Sequence, residues 1–523
     1  MRKMTQTLFA ALVFSACTTQ FSSFDHYIEG PLWDASQAVA RADGLYVTLP
    51  RSGGLVRLDP TGKGSGYTSV NIGEGAATRL SGSPDGTSLI AFIDRYRCDI
   101  DRDDAPTTKD ECLDDDELVV ERELNIIRDG KSVGSVAIEG PYNRLAYAQD
   151  GRFAIAYLDF EDDNLDLTGV VNLNAVIAID IEEATATPIS VGFAADHVLF
   201  VEDEKLGATQ AVVLSRNSVA VIDLLVNPPQ REVTFPLTLD PDATVVPVGV
   251  ELTPDGRYAL ISVQDSSDLY ALDLISQSIN IVELSSSPAD MIVDPGAERT
   301  VLVFDRRARV DVLEHEYFDI ESYTLDEAMD SIVAGDGFSL LWSQSGAHDV
   351  YRLNLEDNSL VEYRLQNPAV EMALAPGEEF AVALTRAENG FGEGVEGVYD
   401  RSPGMEILDL RSDDSQPFLL EGQGLGIAFS SSETELHALV LQQGEEYLYQ
   451  LDLYTGVAME IDLSSPPVAI GTMEDGSFYI THESALGLVS FLDPVTGDIE
   501  EVGGFGAHGL MNPIELITQG GDQ

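Results

Sequence analysis

The sequence predicts an all-β protein built by repeating one four-stranded sheet, and three observations carry that prediction. The first is a phrase that returns along the chain: a tight Asp-Gly turn, an apolar strand, a strand closing in Asp, and one strand more. It is plain in Leu252-Thr-Pro-Asp-Gly-Arg-Tyr-Ala-Leu-Ile-Ser-Val, Asp268-Leu-Tyr-Ala-Leu-Asp-Leu and Ser278-Ile-Asn-Ile-Val-Glu-Leu. It returns in Met473-Glu-Asp-Gly-Ser-Phe-Tyr-Ile-Thr, Gly487-Leu-Val-Ser-Phe-Leu-Asp and Asp498-Ile-Glu-Glu-Val. The second is a series of short, nearly unbroken apolar runs, which describe strands covered on both faces. The third is a strand that ends in Asp or Asn, a residue that starts a turn by bonding its own backbone. Units of about 40 residues that cannot bury their own faces must stack on one another. Closed in a circle, they make a β-propeller, in which only short, protected edges remain.

The elements follow in order. Arg2 and Lys3 precede Leu8-Phe-Ala-Ala-Leu-Val-Phe14, an apolar run too short to span a bilayer as a helix, and Ser15-Ala16-Cys17 closes it. This stretch resembles the lipobox of bacterial lipoproteins, with Phe14 where that family usually has Leu. The resemblance implies that residues 1–16 are a lipoprotein signal peptide and that Cys17 carries the lipid. With Thr18 rather than Asp following, it also implies sorting to the outer membrane of the cell envelope. The alternative is ordinary signal-peptide cleavage with Cys17 incidental, but bulky Phe14 fits poorly at a site that takes small residues. Residues 17–42 are then a lipid-anchored tether and lead-in, 43–512 the propeller, and 513–523 a C-terminal tail.

From Asp43 the chain parses into about eight to ten units. Their second strands are Leu45-Tyr-Val-Thr-Leu, Leu89-Ile-Ala-Phe-Ile, Ala154-Ile-Ala-Tyr-Leu, Ala211-Val-Val-Leu and Ala259-Leu-Ile-Ser-Val. Val301-Leu-Val-Phe, Leu340-Leu-Trp, Phe380-Ala-Val-Ala-Leu, His437-Ala-Leu-Val-Leu and Phe478-Tyr-Ile-Thr complete the set. Third strands end in Asp223, Asp273, Asn354 and Asp452. Asp-Gly pairs between first and second strands are hairpin signals. Pro288, Pro368 and Pro466 fall between units, where a missing backbone donor does no harm. These residues resemble the YVTN-type and WD-like propeller repeats of bacterial surface and periplasmic proteins. The Asn that usually ends the second strand in the YVTN family is missing from every unit, so the resemblance implies fold more than function. Two rings in tandem are the alternative to one. No Gly/Ser/Pro-rich linker separates any two units, which favours one continuous ring.

The chain carries 90 Asp and Glu against 29 Lys and Arg, a net charge of −61 and a pI near 4.1. Lysine occurs only at Lys3, Lys63, Lys109, Lys131 and Lys205. Such a surface repels nucleic acid and anionic lipid headgroups, excludes the former as a partner, and favours cations. Beyond Cys17 the cysteines are Cys98 and Cys112, a lone close pair for which an oxidising compartment makes a disulfide the default.

Three long insertions, Asp94 to Glu117, Asp159 to Asn172 and Arg386 to Pro403, all fall between second and third strands, so a propeller gathers them on one mouth. Loops of this length are functional or disordered more often than not. In the first, Asp99, Asp101 and Asp103 alternate, and Asp110 stands at the twelfth position counted from Asp99. Calcium takes six to eight hard oxygens, and alternating carboxylates supply them. The spacing resembles EF-hand-like and thrombospondin type 3 loops, with Asp104 where the turn wants Gly. It implies a Ca²⁺ site stapled by Cys98 and Cys112; the competing reading is an acidic surface loop held by that bond alone. In the second insertion Asp162, Asn164 and Asp166 alternate likewise without a far ligand.

The residue after the second strand is arginine in five units: Arg51, Arg95, Arg216, Arg306 and Arg386. These are candidates for a channel-mouth array that takes carboxylate or phosphate. The bland alternative pairs each with a blade carboxylate. No catalytic residue is assigned, because haem-attachment, nucleophile-elbow and phosphate-cradling patterns are absent. The seven histidines show no metal-ligand spacing, and His482-Glu483 reads as a surface pair. Trp33 and Trp342 read as packing residues. The sequence therefore leans to an envelope-anchored, non-enzymatic binding or scaffold module with an acidic, Ca-stabilised face, its protein or small anionic ligand unnamed. The alternative is a lactonase-like propeller hydrolase with a carboxylate-held metal in the central channel.

Overall fold

The computed structural model describes residues 33–50, 52–59, 66–73, 75–98, 118–160, 172–192, 194–203, 205–238, 240, 244–294, 298–388, 394–432, 435–510 and 517–518. They form ten antiparallel sheets, each with four consecutive strands in the order a-b-c-d. The blades span 38–70, 76–138, 144–190, 195–236, 247–283, 290–324, 331–364, 369–419, 424–462 and 467–503. All ten second strands expected from the apolar runs are present, and the units make one continuous ring. The first blade starts with Ala38–Arg41, ahead of Asp43. Ile517–Thr518 lies parallel to Arg97–Cys98 of blade 2.

Burial orders the strands radially. Second strands such as Gly44–Leu49, Tyr258–Val263 and Phe380–Thr385 are buried throughout. Fourth strands alternate with most side chains in solvent, as in Ser278–Glu283 and Val457–Asp462, and form the outer edge. First strands are half-buried and touch the first strands of their neighbours, so they line the axis.

Ten apolar cores hold the ring, and each lies between two adjacent blades. The tenth closes the circle. Leu45, Val47 and Val56 of blade 1 pack on Val489, Phe491 and Val502 of blade 10. Trp33 seals that seam: it meets Phe505 edge-on at 5.0 Å and donates from Nε1 to Ser484 O at 2.5 Å. The four antiparallel strands of each blade are one uninterrupted stretch of chain, and among the described residues the one addition is Ile517–Thr518, which joins blade 2 from beyond blade 10.

The turn chemistry repeats with the blades. Asp180, Asp223, Asp273, Asp452 and Asp493 each accept from backbone N–H groups two or three residues on, at 2.8–3.2 Å. In the Asp-Gly turns, Gly86, Gly151, Gly256 and Gly476 have φ of 65–86°, where a side chain would be strained. Long polar side chains then latch blade to blade. Arg128, Arg299 and Gln450 donate to Ile181 O (3.5 Å), Leu355 O (2.7 Å) and Pro494 O (2.5 Å), and Arg352 donates to Leu410 O. Each acceptor directly follows the Asp or Asn that ends a third strand of the next blade.

Candidate binding site at one mouth of the ring

Antiparallel pairing places the start of each first strand beside the end of the second: Pro247 faces Val263, Ala195 faces Ser215 and Ala369 faces Thr385. The connections between second and third strands open on that same mouth. The strands that lead into all three insertions, Leu89–Cys98, Phe153–Tyr157 and Phe380–Thr385, end at that mouth; residues 99–117, 161–171 and 389–393 of the insertions lie outside the described residues. The described part of the third is pinned from below. Buried Asn367 donates from Nδ2 to Tyr399 O (2.7 Å) and Ser402 O (3.0 Å), which secures the short helix Glu396–Asp400. Glu388 N donates to Asp400 O at 2.6 Å, and His348 Nε2 lies 3.3 Å from Glu388 Oε2.

A second feature marks this mouth. Six of the ten first strands carry a register shift around their second residue: Thr78, Asp196, Val248, Val370, Leu425 and Val468. A bulge re-aims a side chain at the rim of a sheet. Here it leaves Val248 50%, Leu425 54% and Val468 41% exposed beside the axis.

Two cavities open between these strand ends. The larger, 1040 Å³, crosses blades 3, 4 and 5 and is lined by Tyr157, Phe160, Leu173, His197, Arg216 and Val248, among others. The smaller, 540 Å³, crosses blades 5, 6 and 7 and holds Arg306, Asp330 and Gln344. Val248 borders both. Nearby, Glu251 and Asp290 sit on neighbouring first strands. Burial, reinforced by Asp290, pushes the Glu251 carboxyl up to about 7; burial also raises Asp290, although Ile332 N and Met291 N donate to it at 2.9 Å.

The five arginines do not form one array. Arg51 lies outside the described residues. Arg95 is bound to Glu123 at 2.6 Å within its own blade. Arg386 reaches back over Gly346 of blade 7, where a Cβ would sit 3.1 Å from its Nη2. Arg306 is 87% exposed and 3.5 Å from Asp305. Arg216 lines the large cavity, and among the described residues it has no carboxylate partner. It owes its position to a two-residue connection, Arg216-Asn217, in which Asn217 takes φ 66° and accepts from Val245 N at 2.5 Å.

The other candidates from sequence fare as follows. Cys17, Asp99, Asp101, Asp103, Asp110, Cys112, Asp162, Asn164 and Asp166 lie outside the described residues, and Cys98 is described only as the end of its strand. Among the described residues, no group of three or more His, Cys, Asp or Glu side chains is placed to hold a metal. His482 is not at the surface, which corrects the expectation of a surface pair with Glu483. It is wholly buried, donates from Nδ1 to Ser465 O (2.8 Å) and accepts at Nε2 from Ser490 Oγ (2.7 Å). Burial lowers its pKa, so it stands neutral as a packing residue. Sequence reasoning missed Val248 and His197, because a bulge leaves no mark in the alternation of a single strand.

Fold and mouth together define a ten-bladed propeller with one elaborated face. No family model matches the sequence, and no curated protein does. Among solved structures, it is similar to the dihydro-heme d1 dehydrogenase NirN in complex with DHE, at 13% identity and a TM-score of 0.39, covering 63% of this chain and 71% of that one. It is also similar to the hydrazine synthase of Kuenenia stuttgartiensis, at 12% identity and a TM-score of 0.32, covering 70% and 96%. A third is a functionally unknown protein from Desulfotomaculum acetoxidans, at 10% identity and a TM-score of 0.34, covering 59% and 94%. Likeness at this level speaks to neither ligand nor activity.

Proposed function

We propose that this protein is a non-enzymatic binding or scaffold module, anchored to the bacterial envelope through lipid on Cys17, that engages its partner with the insertion-bearing mouth. The observation that carries the reading is that the strands leading into the three insertions end at the same mouth as the bulges of six first strands. The opposite mouth has short turns, and several of its arginines are spent on blade carboxylates, as in Arg152–Asp180 and Arg257–Asp273. The acidic first insertion, with calcium on Asp99, Asp101, Asp103 and Asp110 and a Cys98–Cys112 disulfide, belongs to the same proposal as a stiffener of that face. Among the described residues, no helix is long and apolar enough to cross a membrane.

Photo-crosslinking side chains placed at Gln264 or Ser345 on the elaborated mouth, and at Ser276 or Lys131 on the other, test the reading in intact cells. Specific cross-links are expected from the elaborated mouth, and Cys17→Ala should abolish lipid labelling and release the protein from membranes. Cross-links confined to the plain mouth would overturn the assignment of the face. A Cys17→Ala protein that stays in the membrane fraction would overturn the anchor.

A further inference from the structure

We propose that the 1040 Å³ cavity between blades 3, 4 and 5 binds a small amphipathic anion, its apolar body against Phe160, Leu173 and Val248 and its charged group on Arg216. The proposal rests on reading this mouth as the binding face and names the ligand chemistry there. The cavity is at the upper end of the size of small-molecule sites, and its lining sets apolar side chains beside a similar share of polar and charged ones. Phe160, Leu173 and Val248 are 46%, 43% and 50% exposed around one hollow. Scattered singly they would mean little, but three on one rim describe a surface left for a cover.

The charge of the ligand follows from which polar groups of the lining are already engaged. Arg144 is bound to Asp159 at 2.6 Å, a pair that is neutral as a unit. Asp196 has a partner of its own. Arg216 remains as the cation of the lining without an ion pair among the described residues, with His197 beside it. The two-residue turn, held by the Asn217–Val245 contacts, fixes the backbone of Arg216, and its planar guanidinium fork suits a carboxylate or sulfonate group. The net charge of −61 opposes any anion at long range. Beyond a Debye length of about 8 Å at physiological salt that field is screened, and the contact with Arg216 is not. A compact single charge on an apolar body suits the site better than a polyanion, since one cation waits there rather than an array.

Two fluorescent probes that differ only in charge test this on the full chain. 8-Anilinonaphthalene-1-sulfonate carries the anion, and N-phenyl-1-naphthylamine is the same skeleton without it. The sulfonate should bind at one site per chain and more tightly than its neutral analogue. Arg216→Gln should weaken the sulfonate by roughly tenfold or more, the loss of one charge-assisted contact, and leave the neutral probe within about twofold. Val248→Asn should weaken both probes. Lys131→Gln, on the far mouth, should change neither. Arg216→Lys keeps the charge, and should retain most of the sulfonate binding if Arg216→Gln lowers the melting point. Equal binding of the two probes, an Arg216→Gln protein that binds the sulfonate undiminished, or the same loss with Lys131→Gln would overturn the proposal, as would no binding at all. If cross-links still come from this mouth while the probes fail, the small ligand is wrong and the face is right.

Discussion

Asp409 and Glu251 show how far a carboxylate depends on its place in the blade. Arg411 donates to Asp409 from Nε (3.1 Å) and Nη2 (3.0 Å), backbone N–H groups add to it, and together they lower the Asp409 carboxyl to about 2. A pKa lowered by folding contributes stability that is present above the unfolded value and lost as pH falls through the folded one. Asp409→Asn should therefore melt below the wild type above about pH 4, and the gap should close toward about pH 2. Glu251 works in the opposite sense. Its pKa is raised to about 7, so its contribution is full below the unfolded value and fades as pH rises through 7. Glu251→Gln should raise stability at pH 8, by roughly 1–3 kcal/mol, and not at pH 5. Urea unfolding of both proteins at the two pH values checks the sign. Neither shift was legible in the sequence. Both residues are single carboxylates in ordinary strand patterns, and what separates them is a partner from a neighbouring turn or strand.

Among elements, legibility tracked burial. The ten second strands could be read directly because they are apolar on both faces, and the closing Asp residues because their turn chemistry is local. Ala38–Arg41 could not, since Ala-Val-Ala-Arg is short and half-buried. The bulges at Val248, Leu425 and Val468 depend on register against a neighbouring strand, and the large cavity joins residues from Arg144 to Val248 across three blades. The blade-to-blade latches were equally hidden. Arg352 donates to Leu410 O and to Asp413 Oδ1 (2.7 Å), joining blades 7 and 8. Arg352→Met keeps the apolar stem and removes the donors, so it should cost about 1–3 kcal/mol. Adding Asp413→Ala should then cost less than it does in the wild type, because only the bond from the Tyr363 hydroxyl (3.1 Å) is left to lose. Additive losses in denaturant melts would show that the two groups act apart.

At the scale of the molecule, ten similar interfaces share one ring, and at the seam near Trp33 the two blades are not consecutive in the chain; beyond blade 10 only Ile517–Thr518, among the described residues, reaches past it to blade 2. Trp33→Ala should destabilise the protein by about 3–5 kcal/mol, as loss of a buried aromatic does. Phe505→Ala should couple to it strongly, because each ring packs on the other. Hydrogen exchange should quicken first in blades 1 and 10 of either variant; loss spread evenly round the ring would contradict a weak seam. The surplus of carboxylates sets a second expectation. Raising salt from about 0.1 M to about 1 M shortens the Debye length from about 10 Å to about 3 Å, and the melting point should rise as self-repulsion is screened.

That the four antiparallel strands of every blade are contiguous in sequence has a further consequence. The covalent chain does not dictate where the circle starts. Each blade is a contiguous cassette, and the contact between the last and the first is of the same kind as the other nine. A gene for residues 33–510 alone, rearranged to begin between blades 5 and 6 with a linker joining the two ends of that segment, should therefore encode the same ring. The number of cassettes is likewise held only by the angle at which neighbours pack. Duplication or loss of a whole cassette would change the bore of the ring rather than its architecture, a route by which such a chain can acquire a wider or narrower mouth in one genetic step.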